Sequence, residues 1–167
     1  MKPIYKILLY SIFLSFLSMG SATAREVKAP DFKLPGNHKT IILSQYKHRH
    51  KVIYVDFWAS WCGPCKQSFP WMNKMQSRYH DQGFDIIAVN LDDQHSNAVN
   101  FLSKVPADFT IAYDPNGAVA QQYGLTVMPT SFLIDRNGRI SYVHRGFKTA
   151  DRDEMESRIK ALVSKRK

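Results

Sequence analysis

The stretch "KVIYVDFWASWCGPCKQSFP", residues 51–70, limits the possible folds of this chain more than any other. It opens with a nearly continuous run of β-branched and aromatic residues, the pattern of a strand buried on both faces in a parallel or mixed sheet. From about Gly63 to His80, Phe69, Met72, Met75 and Tyr79 recur at spacings of three and four, which predicts an amphipathic helix. Pro64 falls in its first turn, where a missing N–H costs little, and Pro70 should kink it. "FDIIAVNL" (84–91) reads as a second doubly buried strand, so strand, helix and strand form a crossover unit expected to be right-handed. Cys62 and Cys65, the only two cysteines, therefore stand where a central strand gives way to a helix.

Around this unit the chain reads as one α/β domain. "REVKAPDFKLPGNHKTIILSQY" supplies short extended pieces, with Thr40 to Leu43 as a strand. "DDQHSNAVNFLSKV" reads as a helix with Asp92 and Asp93 as caps, and "FTIAY" as a short strand. "DPNGAVAQQYG" gives a turn and a short helix closed by Gly124. "PTSFLID", "RNGR" and "ISYVHRGF" predict an antiparallel hairpin, with Asn137 and Gly138 tolerating positive φ in its turn. A last helix, Thr149 to about Ser164, is acidic at its start and basic at its end, as the helix dipole favours.

Residues 1–24 carry two lysines, the apolar run "ILLYSIFLSFLSMG" and then Ala22, Thr23 and Ala24, the pattern of a cleaved secretory signal peptide. An uncleaved signal acting as a membrane anchor is the alternative, but the run is shorter than the roughly 20 residues that span a bilayer. Residues 25–167 then form the domain, and loss of Lys2 and Lys6 lowers the formal charge from +9 to +7. That basic balance reads as a solvated surface and not a nucleic-acid site, because no recognised binding motif accompanies it. Export would place the protein in the periplasm, an oxidising compartment. A bridge between residues three apart closes almost no loop, so a purely structural staple is disfavoured and redox chemistry or metal binding remains.

A cysteine immediately before a helix faces backbone N–H groups and the positive end of the dipole, which stabilise thiolate over thiol. Cys62 is therefore expected to be the nucleophile. Cys65, one turn inside the helix, is less accessible and placed to attack a mixed disulfide on Cys62, the part of a resolving thiol. Asp56 lies within an apolar strand, where an ionised carboxylate is costly to bury; a raised pKa would let it take a proton from Cys65 and return it.

"VDFWASWCGPCKQSFP" resembles the active segment of the thioredoxin superfamily, with the Asp six residues before the first cysteine and a Pro five after the second. The order of elements from Pro30 onward, with the "APDFKL" lead-in and a helix-and-strand insertion between Leu91 and Tyr113, is similar to exported TlpA/ResA-like thioredoxins. The resemblance implies a thioredoxin fold: a central mixed β-sheet flanked by helices. It implies a cis Pro129 against the cysteine pair and a Met128 whose backbone pairs with an extended substrate. Thr126 to Thr130, including Thr130, would form the lip of the site, with Trp61 as its aromatic neighbour. Relatives dedicated to cytochrome c maturation carry Glu three residues after the second cysteine; Ser68 stands there, which favours a general reductase. The lysine that thioredoxin keeps near its buried Asp has no counterpart in "FDIIAVNL".

Gly63 and Pro64 are the pair found between the cysteines of thioredoxin, whose potential is about −270 mV against about −120 mV for the oxidant DsbA. By resemblance the chain is a protein-disulfide reductase, needing no cofactor beyond its own cysteines, and a monomer. Its substrates would be protein thiols and disulfides, and a membrane thiol conduit of the DsbD/CcdA type would supply electrons. A metallochaperone is the first alternative, using Cys62, Cys65 and a histidine for copper or zinc; His38, His48, His50, His80, His95 and His144 are candidates by residue type, of which only His48 and His50 are close in sequence. A peroxidase is the second, but the residues before Cys62, Trp58 and Ala59 among them, do not supply the P-x-x-x-T-x-x-C that peroxiredoxins use. A holdase using the groove beside Pro129 without redox turnover is the third.

Overall fold

The computed structural model describes residues 27–165. The signal peptide expected at residues 1–24 lies outside the described residues. The domain contains a hairpin, β1 (Lys33–Pro35) and β2 (Thr40–Ile42), then α1 (Leu43–His48), β3 (Val52–Trp58) and α2 (Gly63–Tyr79). Next come β4 (Phe84–Asn90), α3 (His95–Leu102), β5 (Thr110–Tyr113), α4 (Ala118–Gln122), β6 (Thr130–Ile134), β7 (Ile140–Arg145) and α5 (Arg152–Val163).

Five strands form one mixed sheet in the order β5-β4-β3-β6-β7. β3 pairs parallel with β4, from Val52 opposite Phe84 to Trp58 opposite Asn90, and antiparallel with β6. Every residue of β3 is buried, as the apolar run requires of a central strand covered on both faces. Because strand side chains alternate, the sheet divides the interior into two cores. Val52, Tyr54 and Trp58 pack with Phe69, Met72 and Met75 of α2 and with Met155 and Ile159 of α5. Ile53, Val55 and Phe57 pack on the other face with Leu34, Leu43, Val119 and Tyr123. Each fully buried side chain of this size contributes roughly 1.5–3 kcal/mol, so the two cores fix the level of β3 and hence the place where the chain leaves the sheet.

α3 and β5 form the insertion between Leu91 and Tyr113, and β5 extends the sheet beside β4. The β1–β2 hairpin leans on that edge through a bridge between Gly36 and Ala112. A Cβ at Gly36 would lie 2.8 Å from the Lys39 carbonyl oxygen, which explains why glycine stands there.

Three local expectations are corrected. Leu43 is not the end of a strand but the start of α1, which buries Leu43 fully in the core and packs Tyr46, partly buried, against it. Asp92 and Asp93 do not cap α3: its N-cap is Gln94 and no side chain caps it. In the β6–β7 turn only Gly138 has positive φ, because Asp135 Oδ1 accepts from the N–H groups of both Asn137 and Arg139, at 2.9 Å each, and shapes the turn from its first residue. α2 continues through Pro70 as one helix, with Pro70 itself exposed.

Candidate active site

The site is assembled where β3 ends. Cys62 is the N-cap of α2, with extended backbone angles, and Pro64 occupies the first turn, so the helix starts at the cysteine. Cys62 and Cys65 are joined in a disulfide. The Cys65 backbone N–H donates to Cys62 Sγ at 3.3 Å, the helix-terminus donor expected to stabilise a thiolate at that sulfur. Cys62 is 6% exposed and Cys65 wholly buried, so an incoming sulfur meets Cys62 first. Trp61 projects beside it at 72% exposure.

The loop carrying Cys62 is tied to the sheet. Asp92, just past β4 and buried, accepts from the Ser60 N–H at 3.0 Å, from the Ser60 hydroxyl at 2.8 Å and from Asn90 Nδ2 at 2.7 Å. It was the sequence's most misleading residue: an aspartate between a strand and a helix looks like a cap, but here it braces the active loop.

Asp56 is 1% exposed. Strand alternation puts it on the same face as Tyr54 and Trp58, the face that packs against α2 and Cys65. Burial raises its pKa from 3.8 to about 7, partly offset by the hydroxyl of Ser131, which donates to Asp56 Oδ1 at 2.6 Å. The other carboxylate oxygen has no hydrogen-bond partner among the described residues. Ser131 was not singled out from sequence; it faces Asp56 only through the antiparallel register of β3 and β6.

The Met128–Pro129 peptide is cis. Thr130 pairs with Phe57, next to the last residue of β3, so Pro129 and Met128 stand at the end of the sheet where the cysteine loop leaves it. The Pro129 carbonyl accepts from Gly146 N–H, and the Thr130 hydroxyl donates to the Val127 carbonyl, both at 2.7 Å. Met128 makes no hydrogen bond to any described residue, which leaves its backbone edge unpaired at that end of the sheet. The structure thus brings Asp56, Cys62, Gly63, Pro64, Cys65, Met128, Pro129 and Thr130 to one end of β3, with Trp61 at the rim.

Among the described residues, none of the histidines considered as metal ligands joins the two cysteines in a group that could hold a metal ion. His48 and His50 precede β3, a strand length of roughly 20 Å from its other end. His80 pairs with Asp85 and His144 with Asp151. Among the described residues no group of three or more His, Cys, Asp or Glu is placed to hold a metal ion.

Residues 24–162 match the Redoxin family. The chain belongs to that family. Within it, this Redoxin protein is 31% identical over 157 residues to thiol-disulfide oxidoreductase ResA of Geobacillus thermodenitrificans, covering 92% of this chain and 86% of that one. Among solved structures it is similar to a Chlorobium tepidum protein provisionally described as thiol:disulfide interchange protein DsbE, with a TM-score of 0.81 and 51% identity. That alignment covers 84% of this chain and 99% of the other. The pneumococcal exposed lipoprotein thioredoxin Etrx1 of Streptococcus pneumoniae follows at a TM-score of 0.69 and 28% identity, over 80% of this chain and all of that one. The chain is a TlpA/ResA-like member of the thioredoxin superfamily and a thiol-disulfide oxidoreductase.

Proposed function

We propose that this oxidoreductase works as a reductase of protein disulfides, with Cys62 as nucleophile and Cys65 as resolving thiol. The observation that carries the two roles is the asymmetry of the pair: Cys62 caps α2 and keeps 6% exposure, while Cys65, inside the first turn of the helix, is wholly buried.

In the reduced protein the Cys62 thiolate attacks one sulfur of a client disulfide. A Cys62–client disulfide forms, the client bond breaks, and the first client sulfur leaves as a thiolate that takes a proton from water. Cys65 then gives its proton to the Asp56 carboxylate and attacks Cys62 Sγ. The second client sulfur is released and protonated, and the Cys62–Cys65 disulfide closes. Two electrons have passed from the protein to the client. Met128 would hold the client backbone in extended form beside Cys62, with Pro129 and Thr130 keeping that edge in place.

Turnover needs a dithiol donor that reverses these steps. With an export signal on residues 1–24, the donor would be a membrane conduit of the DsbD/CcdA type, delivering electrons to a periplasmic, monomeric protein. Ser68 keeps this general role ahead of cytochrome c maturation, because its buried hydroxyl is spent on the Cys65 carbonyl at 2.9 Å and offers no carboxyl group to the site.

A Cys65→Ser variant expressed with its signal tests the reading. It should accumulate disulfide adducts with exported proteins, released by dithiothreitol and lost when Cys62→Ser is added. No adducts under mild reduction, or adducts that persist without Cys62, would refute the assigned roles.

A further inference from the structure

We propose that the groove on the insertion side of Cys62 is a client subsite that selects an acidic flank beside the client's cystine; this rests on the reading that Cys62 forms a mixed disulfide. The groove has a volume of about 370 Å³ and runs between the start of α2 and the outer face of α3. Lys66 stands on one wall, and Asn97, Asn100 and Lys104 on the other. Phe101 is the apolar side of the trough, held by Trp58 and Phe69 at ring-centroid distances of 4.9 and 5.1 Å. Trp61 forms the outer edge.

Three observations give the occupant its chemistry. First, Lys66 follows Cys62 by four residues, so its side chain shares the helix face of the reactive sulfur. Asn97, Asn100, Phe101 and Lys104 likewise recur at spacings of three and four and turn to the same trough. Second, none of the residues lining the groove is acidic, and neither lysine forms an ion pair with a described residue. Third, the side-chain amides of Asn97 and Asn100 have no described partner either, so donors and cations converge without an acceptor of their own.

A client joined to Cys62 leaves its sulfur in two directions. One arm of its chain lies along Met128. The other enters the groove, where Lys66 and Lys104 meet carboxylates, the asparagine amides meet backbone carbonyls, and Phe101 with Trp61 take an apolar side chain. The fitting partner is an extended, acidic protein segment. A lipid or nucleic-acid surface would meet only the two lysines and leave the amides and the aromatic wall unused.

The test uses the Cys65→Ser protein and two symmetric peptide disulfides that differ only in carrying glutamates or lysines beside the cysteine. Attack by Cys62 gives a Cys62–peptide disulfide and one free peptide thiol, and each rate is divided by that of 2-mercaptoethanol with the same peptide. The normalised rate should favour the glutamate peptide about fivefold at low salt, as two exposed charge contacts allow, and the preference should shrink at high salt. Lys66→Glu with Lys104→Glu should invert it, whereas Lys160→Glu with Lys165→Glu at the C-terminal end of α5, which makes the same charge change away from the groove, should leave it in place. Equal rates for the two peptides, or a preference that survives the reversal in the groove or is lost equally with the reversal at residues 160 and 165, would overturn the subsite alone. No adduct with either peptide would overturn the mixed-disulfide reading and the subsite with it.

Discussion

The carboxylate of Asp92 accepts hydrogen bonds from both the backbone N–H and the hydroxyl of Ser60, two residues before Cys62. The strand-to-helix corner that carries the reactive sulfur is thereby pinned to the end of the neighbouring strand. Asp92→Ala leaves the Ser60 and Asn90 donors without this acceptor in a buried setting, which costs about 2–3 kcal/mol. A urea titration should show that loss of stability, and disulfide reduction should slow even under conditions where the variant is fully folded. A variant of unchanged stability and rate would show that the brace does nothing.

Asp56 sets a pH dependence whose sign follows from its raised pKa. In the disulfide form it holds its proton up to about pH 7, so it can protonate the Cys65 sulfur as an external dithiol attacks Cys62. The rate of reduction by dithiothreitol, divided by the dithiothreitol thiolate concentration, should fall as pH rises through about 7. Asp56→Asn should remove that fall and lower the rate at pH 6 by about 100-fold or more. A profile identical in the two proteins would remove Asp56 from the mechanism.

The same group should shape stability. The folded protein binds the Asp56 proton more tightly than the unfolded chain, whose carboxyl titrates near 3.8. Between that value and about 7 the unfolded chain carries fewer protons, so this group's contribution to stability declines as pH rises and levels off above 7. Three pH units at 1.36 kcal/mol each set the size of the decline at about 4 kcal/mol. Asp56→Asn should flatten this part of the curve, measured by denaturant unfolding of the oxidised protein between pH 4 and 8.

Ser131 is the hydroxyl that partly offsets the burial of Asp56. Ser131→Ala removes that donor, so the carboxyl pKa should rise further and the fall in dithiothreitol reactivity should move to higher pH. An unshifted profile would mean that the hydroxyl does not tune the acid.

Phe69 links the helix of the cysteines to the insertion, touching Trp58, Phe101 and Phe109 at ring-centroid distances of 5.0, 5.1 and 5.3 Å. It is wholly buried, so Phe69→Ala should cost about 3–5 kcal/mol. Calorimetry should register a large drop in Tm, and a drop comparable to that of a surface substitution would show that the insertion is not anchored through this residue.

How much of this was legible beforehand depended on the range of the signal. The two buried strands could be read because every position of "VIYVDFW" and "FDIIAVN" needs cover on both faces, and the helix between them because its apolar residues keep a three-and-four rhythm. Asp56 could be read for the same reason, as a charge with no exposed side to turn to. Ser131 could not: a serine in an apolar strand is unremarkable until the register sets it opposite Asp56. Asp92 was misread because capping and bracing use the same side chain at the same kind of junction, and only the packing of Ser60 beside it decides between them. Short α1 was missed because "TIIL" favours a strand locally, while burial of Leu43 beneath the sheet turns the chain into a helix one residue earlier than the pattern allows. The groove of Lys66 and Lys104 joins residues 38 positions apart and has no local pattern at all.

The most direct test of the reductase claim is the reduction potential of the Cys62–Cys65 couple in the purified protein, measured by equilibration with dithiothreitol and followed by thiol alkylation. A value near the roughly −270 mV of thioredoxin is expected, low enough to drive electrons into client disulfides. A value near the −120 mV of DsbA, about 150 mV higher, would make the protein an oxidant and contradict the proposed direction of electron flow.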